Sequence, residues 1–505
     1  MHVVRPLLLA VMLTACAGKS SDPPADAAPG ADGEAGSEGG GDAAGEASGG
    51  GTGDEGGAGS GAGTGGTGTG SETGGDTGDT GAPPPGGPWA VISGIYGSQY
   101  AEGVAVTAAG AVAFAGSFEN GIDLGDGGFA SRGRDDLLVG QLSGVDGALE
   151  WNVTTGDGGS DVAYDLAIAP DGAIYAVGWF DEELVFPDVT FTSKGEYDGF
   201  MVRWEADGTF AWALQLGGRG DDRMRAVDAD TAGACVAGFT SNGITGTGLP
   251  LSPSSLLDGV VICIDTAGTP TWGETLGFGS GTAPALAVAV DADGVRAGGY
   301  FTGEVDLGAG RVASLGDRDG WLKQWDRNGT TGTGRTFGAV GDQEVRALAA
   351  TLDGTAVVGQ WAGGAFLDTE ATPDGGMDAF LMTVDRALES STAVLFGGDG
   401  EDAALDVAAR ADGALAVTGY SSGSLSLASE HAALGEEDLF VGVWDGSWSA
   451  SARFGGPAED IGRTVSWHPS GDVVLGGTSF GSIEIAGAVL AGYGDRDFLV
   501  ARVAL

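Results

Sequence analysis

The residues best placed to do chemistry in this 505-residue chain are carboxylates that recur once per repeat. Glu102, Asp161, Asp222, Asp342, Glu344, Asp402 and Asp460 each stand just after a Gly-rich turn and at the head of an apolar run. Ringed around one opening, such acids could hold a cation such as calcium, or dock a basic partner. The same residues could instead accept hydrogen bonds from turn amides, which is what Asp commonly does next to Gly. No segment has the Asp-x-Asp-x-Asp-Gly spacing of a calcium loop. His431 and His468 lie far apart and outside any metal-ligand spacing. No nucleophile elbow, phosphate loop or dinucleotide fingerprint stands in a strand-to-helix context. Chemistry by paired carboxylates stays open, because the acids are too many to single out a pair. No catalytic residue is therefore assigned.

The second chemical feature is cysteine. Cys235 and Cys263 fall in the same repeat unit, on neighbouring strands of the expected sheet, and could form a disulfide if the chain meets an oxidising compartment. Cys16 has a different setting. Arg5 precedes an apolar run from Leu7 to Leu13, too short for a spanning helix, which closes on Leu13-Thr14-Ala15-Cys16. This segment resembles the lipobox of bacterial lipoproteins. The resemblance implies cleavage before Cys16, acylation of Cys16 and a membrane anchor.

These residues are positioned by a repeat. A small-Gly-aromatic signature closes an apolar run at Gly116, Gly178, Gly238, Gly299, Gly359, Gly419 and Gly477, spaced 58–62 residues apart. An Asp opening a second run keeps the same beat, from Asp136 through Asp258 to Asp497. Each unit holds four strand-like runs bounded by Gly turns, and no stretch has a helical period. In the unit that starts at Asp161 the runs are 163–169, 173–178, 200–204 and 209–216, with a long loop between the second and third. The expected fold is all-β: a seven-bladed β-propeller of ~60-residue four-stranded units. The chain ends on a third run, and the missing fourth run is Trp89-Ala90-Val91-Ile92. An N-terminal strand completing the last blade would close the ring and leave no free sheet edge. A monomer is expected.

The units resemble the bacterial propeller repeats known as SBBP repeats, in segments such as Phe396-Gly397-Gly398, Asp402, Asp406-Val407-Ala408 and Asp412-Gly413. The resemblance implies a surface lipoprotein of the kind common in Gram-negative bacteria. The fourth unit departs from the pattern, with Gly279-Ser280-Gly281-Thr282 where the others carry an acid.

Composition divides the chain into residues 1–15, a signal segment; 16–87, a Gly, Ala, Ser, Thr, Asp, Glu and Pro-rich tether; and 88–505, the propeller. The tether lacks the apolar surface needed to offset ordering entropy, and its random-coil reach is on the order of 45 Å. The net charge of −49 excludes nucleic acid as a partner. The function expected is a lipoprotein of the cell envelope, outer membrane or cell surface, that presents a non-catalytic module to a protein or glycan. Two alternatives are a carboxylate- or cation-dependent glycan hydrolase or lyase at the channel mouth, and an outer-membrane assembly scaffold.

Overall fold

The computed structural model describes residues 86–505 apart from 126, 367, 368, 372, 374, 390 and 494. The signal segment, Cys16 and all but the end of the tether lie outside the described residues. Within them the protein is an all-β propeller, and the strands fall where the turn residues separate the apolar runs. In the second unit they are Asp161–Ile168, Ile174–Phe180, Asp198–Trp204 and Phe210–Leu216. They pair antiparallel in that order, from the axis outward.

Inner strands touch their neighbours in chain order, and the last, Asp460–Trp467, touches the first, Gln99–Val106. Trp89–Ser93 adds to the outer edge of the last sheet, with Val91 opposite Val500. The apolar core lies between adjacent sheets. Phe200 and Trp204 of the second unit, for example, pack with Ala113 and Val139 of the first. Burying both faces of every sheet requires small residues near the axis, and the inner strands supply Ala and Val.

The expectation of a seven-bladed propeller is corrected here. Five blades are discrete four-stranded sheets, not seven. The third and fourth units fuse into one ten-stranded sheet through an extra strand, Phe278–Ala283. It pairs parallel with the third strand of the third unit, at Leu257 and Asp258, and antiparallel with the second strand of the fourth, at Thr302 and Glu304. Elsewhere the parallel contact is only an isolated bridge, as between Tyr197 and Asp221. The cause is local. Joints such as Gly217-Gly218 and Gly397-Gly398 turn tightly against a neighbouring loop: a Cβ on Gly398 would lie 1.6 Å from the Ser424 carbonyl oxygen. Phe278 holds the matching position in the fourth unit and cannot enter such a turn, so the segment stays extended and pairs.

The long second-to-third connections are not plain loops. Several fold as two-stranded hairpins, such as Glu183–Phe186 with Val189–Thr192 and Ile483–Ile485 with Ala488–Leu490. Tryptophans of outer strands link neighbouring units. The rings of Trp151, Trp212 and Trp272 cover Gly208, Gly268 and Gly329 in third-to-fourth turns of the following units. Trp212 and Trp272 also donate their indole N–H to backbone carbonyls there, at 3.1 and 3.2 Å.

Candidate binding site at the channel mouth

The signature glycines build the site. A Cβ on Gly116 would lie 1.8 Å from the Tyr100 carbonyl oxygen, and one on Gly419 would lie 1.9 Å from that of Ala403. Glycine on the second strand thus admits the backbone of the inner strand. There the inner strand carries a β-bulge, as between Ala101 and Gly103 or between Met224 and Ala226. A bulge leaves one residue outside the ladder and re-aims its side chain. The bulged residues Glu102, Tyr164, Arg225, Arg346, Leu405 and Arg463, with Leu286 in the fourth unit, all line one axial cavity of about 550 Å³.

Three of these are arginines, although the chain has 22 basic residues against 71 acidic ones. Arg225 lies over the Tyr164 ring, its guanidinium carbon 3.9 Å from the centroid. Arg463 sits 3.4 Å from the Glu102 carboxylate and faces the Tyr100 ring. Arg346 is 2.9 Å from Glu344, which also pairs with Arg318. Farther out, Arg223 lies over both Trp179 and Tyr197, at 4.7 and 4.1 Å, and bonds Asp221 at 2.7 Å. Arg318 lies over Tyr300, whose hydroxyl pKa burial raises. Arginine held against aromatic faces keeps a fixed geometry and strengthens through cation–π attraction.

The acids singled out in the sequence divide into two groups. Asp161, Asp222, Asp402 and Asp460 begin inner strands and are fully buried. Each accepts a hydrogen bond from the amide four residues earlier, at 3.2, 2.7, 2.9 and 2.6 Å respectively. Across the joint each faces the Asp that opens a third strand. A Cβ on Gly397 would lie 2.6 Å from the Asp378 carboxylate and 2.9 Å from that of Asp402. Burial raises the Asp161 pKa to about 9, that of Asp402 to about 7, and those of Asp222 and Asp460 to about 6, with the facing Asp adding to each rise. These four carboxylates are parts of the joints and do not form an open rim.

Glu102, which lines the cavity, and Asp342 and Glu344, which do not, each lie beside an arginine. Glu102 faces Arg463, Asp342 accepts the Arg318 amide at 3.1 Å, and Glu344 is clamped between two guanidinium groups. Among the described residues, no three His, Cys, Asp or Glu side chains group as a metal site. Cys235 and Cys263 stand directly opposite on adjacent strands, with their sulfur atoms bonded. His431 bonds Ser451 and His468 bonds Ser470, in different sheets.

Sequence reasoning missed two groups. The first is the arginines of the bulge, whose signal is a fixed place 13 or 14 residues before each signature Gly. The second is a set of carboxylates that join neighbouring inner strands. Asp165 accepts the Val227 amide at 2.8 Å, Asp228 that of Val290 at 2.7 Å, and Asp406 that of Val465 at 2.7 Å. Burial pushes the Asp165 pKa well up, and those of Asp228 and Asp406 to about 6. Thr464 makes the equivalent link to the Val104 amide at 3.1 Å.

No family model matches the chain, and none of the curated proteins does. The repeat-family resemblance therefore rests on the quoted residues alone. Among solved structures, the chain is similar to the β-propeller domain of the Trilobed protease from Pyrococcus furiosus. The identity is 9%, the TM-score 0.41, and the match covers 81% of this chain and 94% of that one. It is also similar to the acylaminoacyl peptidase of Pyrococcus horikoshii, at 8% identity and a TM-score of 0.40, over 78% of this chain and 52% of that one. The chain thus spans about half the length of that peptidase. Sqt1 from Chaetomium thermophilum gives 12% identity and a TM-score of 0.38, over 81% and 85%. At these scores the likenesses carry no argument, and the propeller assignment stands on the strand pairing itself.

Proposed function

We propose that the propeller is a non-catalytic binding module, held at the bacterial cell envelope by an acylated Cys16 and the Gly-rich segment that follows it, that takes a glycan or protein ligand at the mouth of its axial channel. One observation carries the binding reading. Every repeat unit spends a glycine and a bulge to aim one side chain into a single cavity, and the aimed residues differ in chemistry from unit to unit. A purely structural ring would repeat one small residue there. The stacked arginines at the mouth offer flat, charged surfaces of the kind that hold sugars and peptide side chains. The joint carboxylates are occupied by backbone amides, which argues against their acting as an acid–base pair. The envelope reading rests on the lipobox-like segment.

A glycan-array screen of the full-length protein tests the site, with Arg223→Ala and Tyr164→Ala as site variants. Binding that both variants weaken is expected. Binding indifferent to both variants, or cleavage of a bound glycan, would overturn the reading. For the anchor, Cys16→Ala is expected to move the protein from the membrane to the soluble fraction.

A further inference from the structure

We propose that the Cys235–Cys263 bond is a thiol-exchange site with a fixed direction: a small thiol such as glutathione opens it at Cys263, and Arg327 holds Cys235 as the thiolate that leaves. This goes beyond the binding-module reading and does not depend on it.

The pair bridges the second and third strands of the third unit, and a cation reaches it from the fourth. Arg327 stands in the third-to-fourth turn of that next unit. Its Nη1 donates to Cys235 Sγ at 3.3 Å, and its Nη2 bonds Asp230 at 2.6 Å. The Arg327 carbonyl accepts the Trp272 indole N–H at 3.2 Å. Side chain and backbone of Arg327 are thus both tied to the third unit, so the guanidinium keeps its place at the sulfur. Asp228 lies opposite Cys235 in register, but its carboxylate oxygens accept the Ala229 and Val290 amides. Asp230 is the carboxylate that competes with the sulfur for Arg327.

Exchange needs one sulfur that is attacked and one that leaves, and a leaving thiol of lower pKa leaves faster. A guanidinium beside a sulfur favours its thiolate, which makes Cys235 the leaving sulfur. Cys263 holds what exposure the pair has, 5% against 0% for Cys235. An incoming thiolate therefore attacks Cys263 Sγ. A new S–S bond forms there as the Cys235–Cys263 bond breaks, and the electron pair of the broken bond stays on Cys235 beside Arg327. In the closing direction the Cys235 thiolate attacks Cys263 Sγ and releases the small thiol. One disulfide replaces another in each direction, with no net oxidation or reduction.

The test uses full-length Cys16→Ala protein, in which Cys235 and Cys263 are the remaining cysteines. The folded protein is incubated with excess glutathione, quenched in acid and mapped by mass spectrometry. Glutathione should sit on Cys263 about fivefold or more as often as on Cys235. Arg327→Gln should abolish that preference and Arg327→Lys should restore most of it, whereas a purely structural role for Arg327 would not move the position of the adduct. Asp230→Asn removes the competing carboxylate and should sharpen the preference, which opening by unfolding would instead erase. With Cys263→Ala added, Cys235 is the single thiol, and its thiolate absorbance at neutral pH should fall about threefold or more on Arg327→Gln. Adducts shared equally or carried by Cys235 would overturn the inference. A preference that survives Arg327→Gln, or a folded protein that glutathione does not open, would overturn it as well.

Discussion

Two joints of the ring, built from the same repeat, end in different structures. Between the fifth and sixth units, Gly397-Gly398 turns tightly, Asp402 caps the Gly398 amide, and the sheets remain separate. Between the third and fourth, Phe278 replaces the second glycine, Ala283 replaces the aspartate, and the segment becomes a strand that fuses two sheets. The buried acceptor is the feature the separate joints share: Asp161 accepts the Asp157 amide and Gln343 the Ala339 amide, although neither donor residue is a glycine. Where the acceptor is lost and a bulky Phe278 fills the turn, the amides that the carboxylate would have satisfied find strand partners instead.

The comparison breaks hardest if the residues are exchanged. Gly398→Phe places a ring where even a Cβ would meet the Ser424 backbone, and should cost more than about 4 kcal/mol or prevent folding. The reverse change, Phe278→Gly, should cost far less, since it removes only the packing of Phe278 beneath Arg311. Chemical denaturation of both variants measures the contrast, and equal losses would refute it.

The fused sheet also carries the cysteine pair. A closed loop of 28 residues is worth up to about 3.6 kcal/mol by the chain-entropy rule. Cys235→Ala with Cys263→Ala should therefore lower stability and raise amide exchange in the third unit first. A thiol count on denatured, unreduced Cys16→Ala protein should find no free thiol, and two would refute the bond.

A smaller effect isolates the carboxylate. Asp402→Ala leaves the Gly398 amide without its acceptor and should cost about 2 kcal/mol. Asp402→Asn retains an acceptor and should recover most of that. If Asn is no better than Ala, the cap does not hold the joint.

The last contrast is the pH dependence. Asp161, Asp222, Asp402 and Asp460 have folded pKa values of about 9, 6, 7 and 6, all above the ordinary carboxylate range. The folded state then binds more protons than the unfolded chain. Stability from these groups is full below about pH 4 and is lost as pH rises through about 6 to 9. The melting temperature should fall from pH 5 to pH 9, with a shallower slope in Asp402→Asn. A melting temperature that rises over that range would contradict the buried, paired assignment.

Much of this was legible along the chain. Gly turns and short β-branched runs mark four strands per unit, because hairpin geometry depends on residues only a few positions apart. The placing of Cys235 and Cys263 on adjacent strands follows from the same local count. The exception at Gly279–Thr282 was visible as a missing acid, but its consequence was not, since strand fusion depends on whether Thr302 and Leu257 lie within reach.

What the sequence by itself determined is the all-β class, the beat of the repeat and the four-stranded unit, all properties of local spacing and alternation. What only the tertiary structure decided is which side chains meet. Asp161 and Glu102 look alike as acids at the head of an apolar run. One is sealed in a joint and the other faces a guanidinium in the channel. The difference is a bulge three residues into the inner strand, and that bulge exists because a glycine on the next strand lets a backbone carbonyl come within 1.8–2.1 Å of where its Cβ would be. Contact of that kind depends on the packing of strands against each other, and no single run of residues carries it.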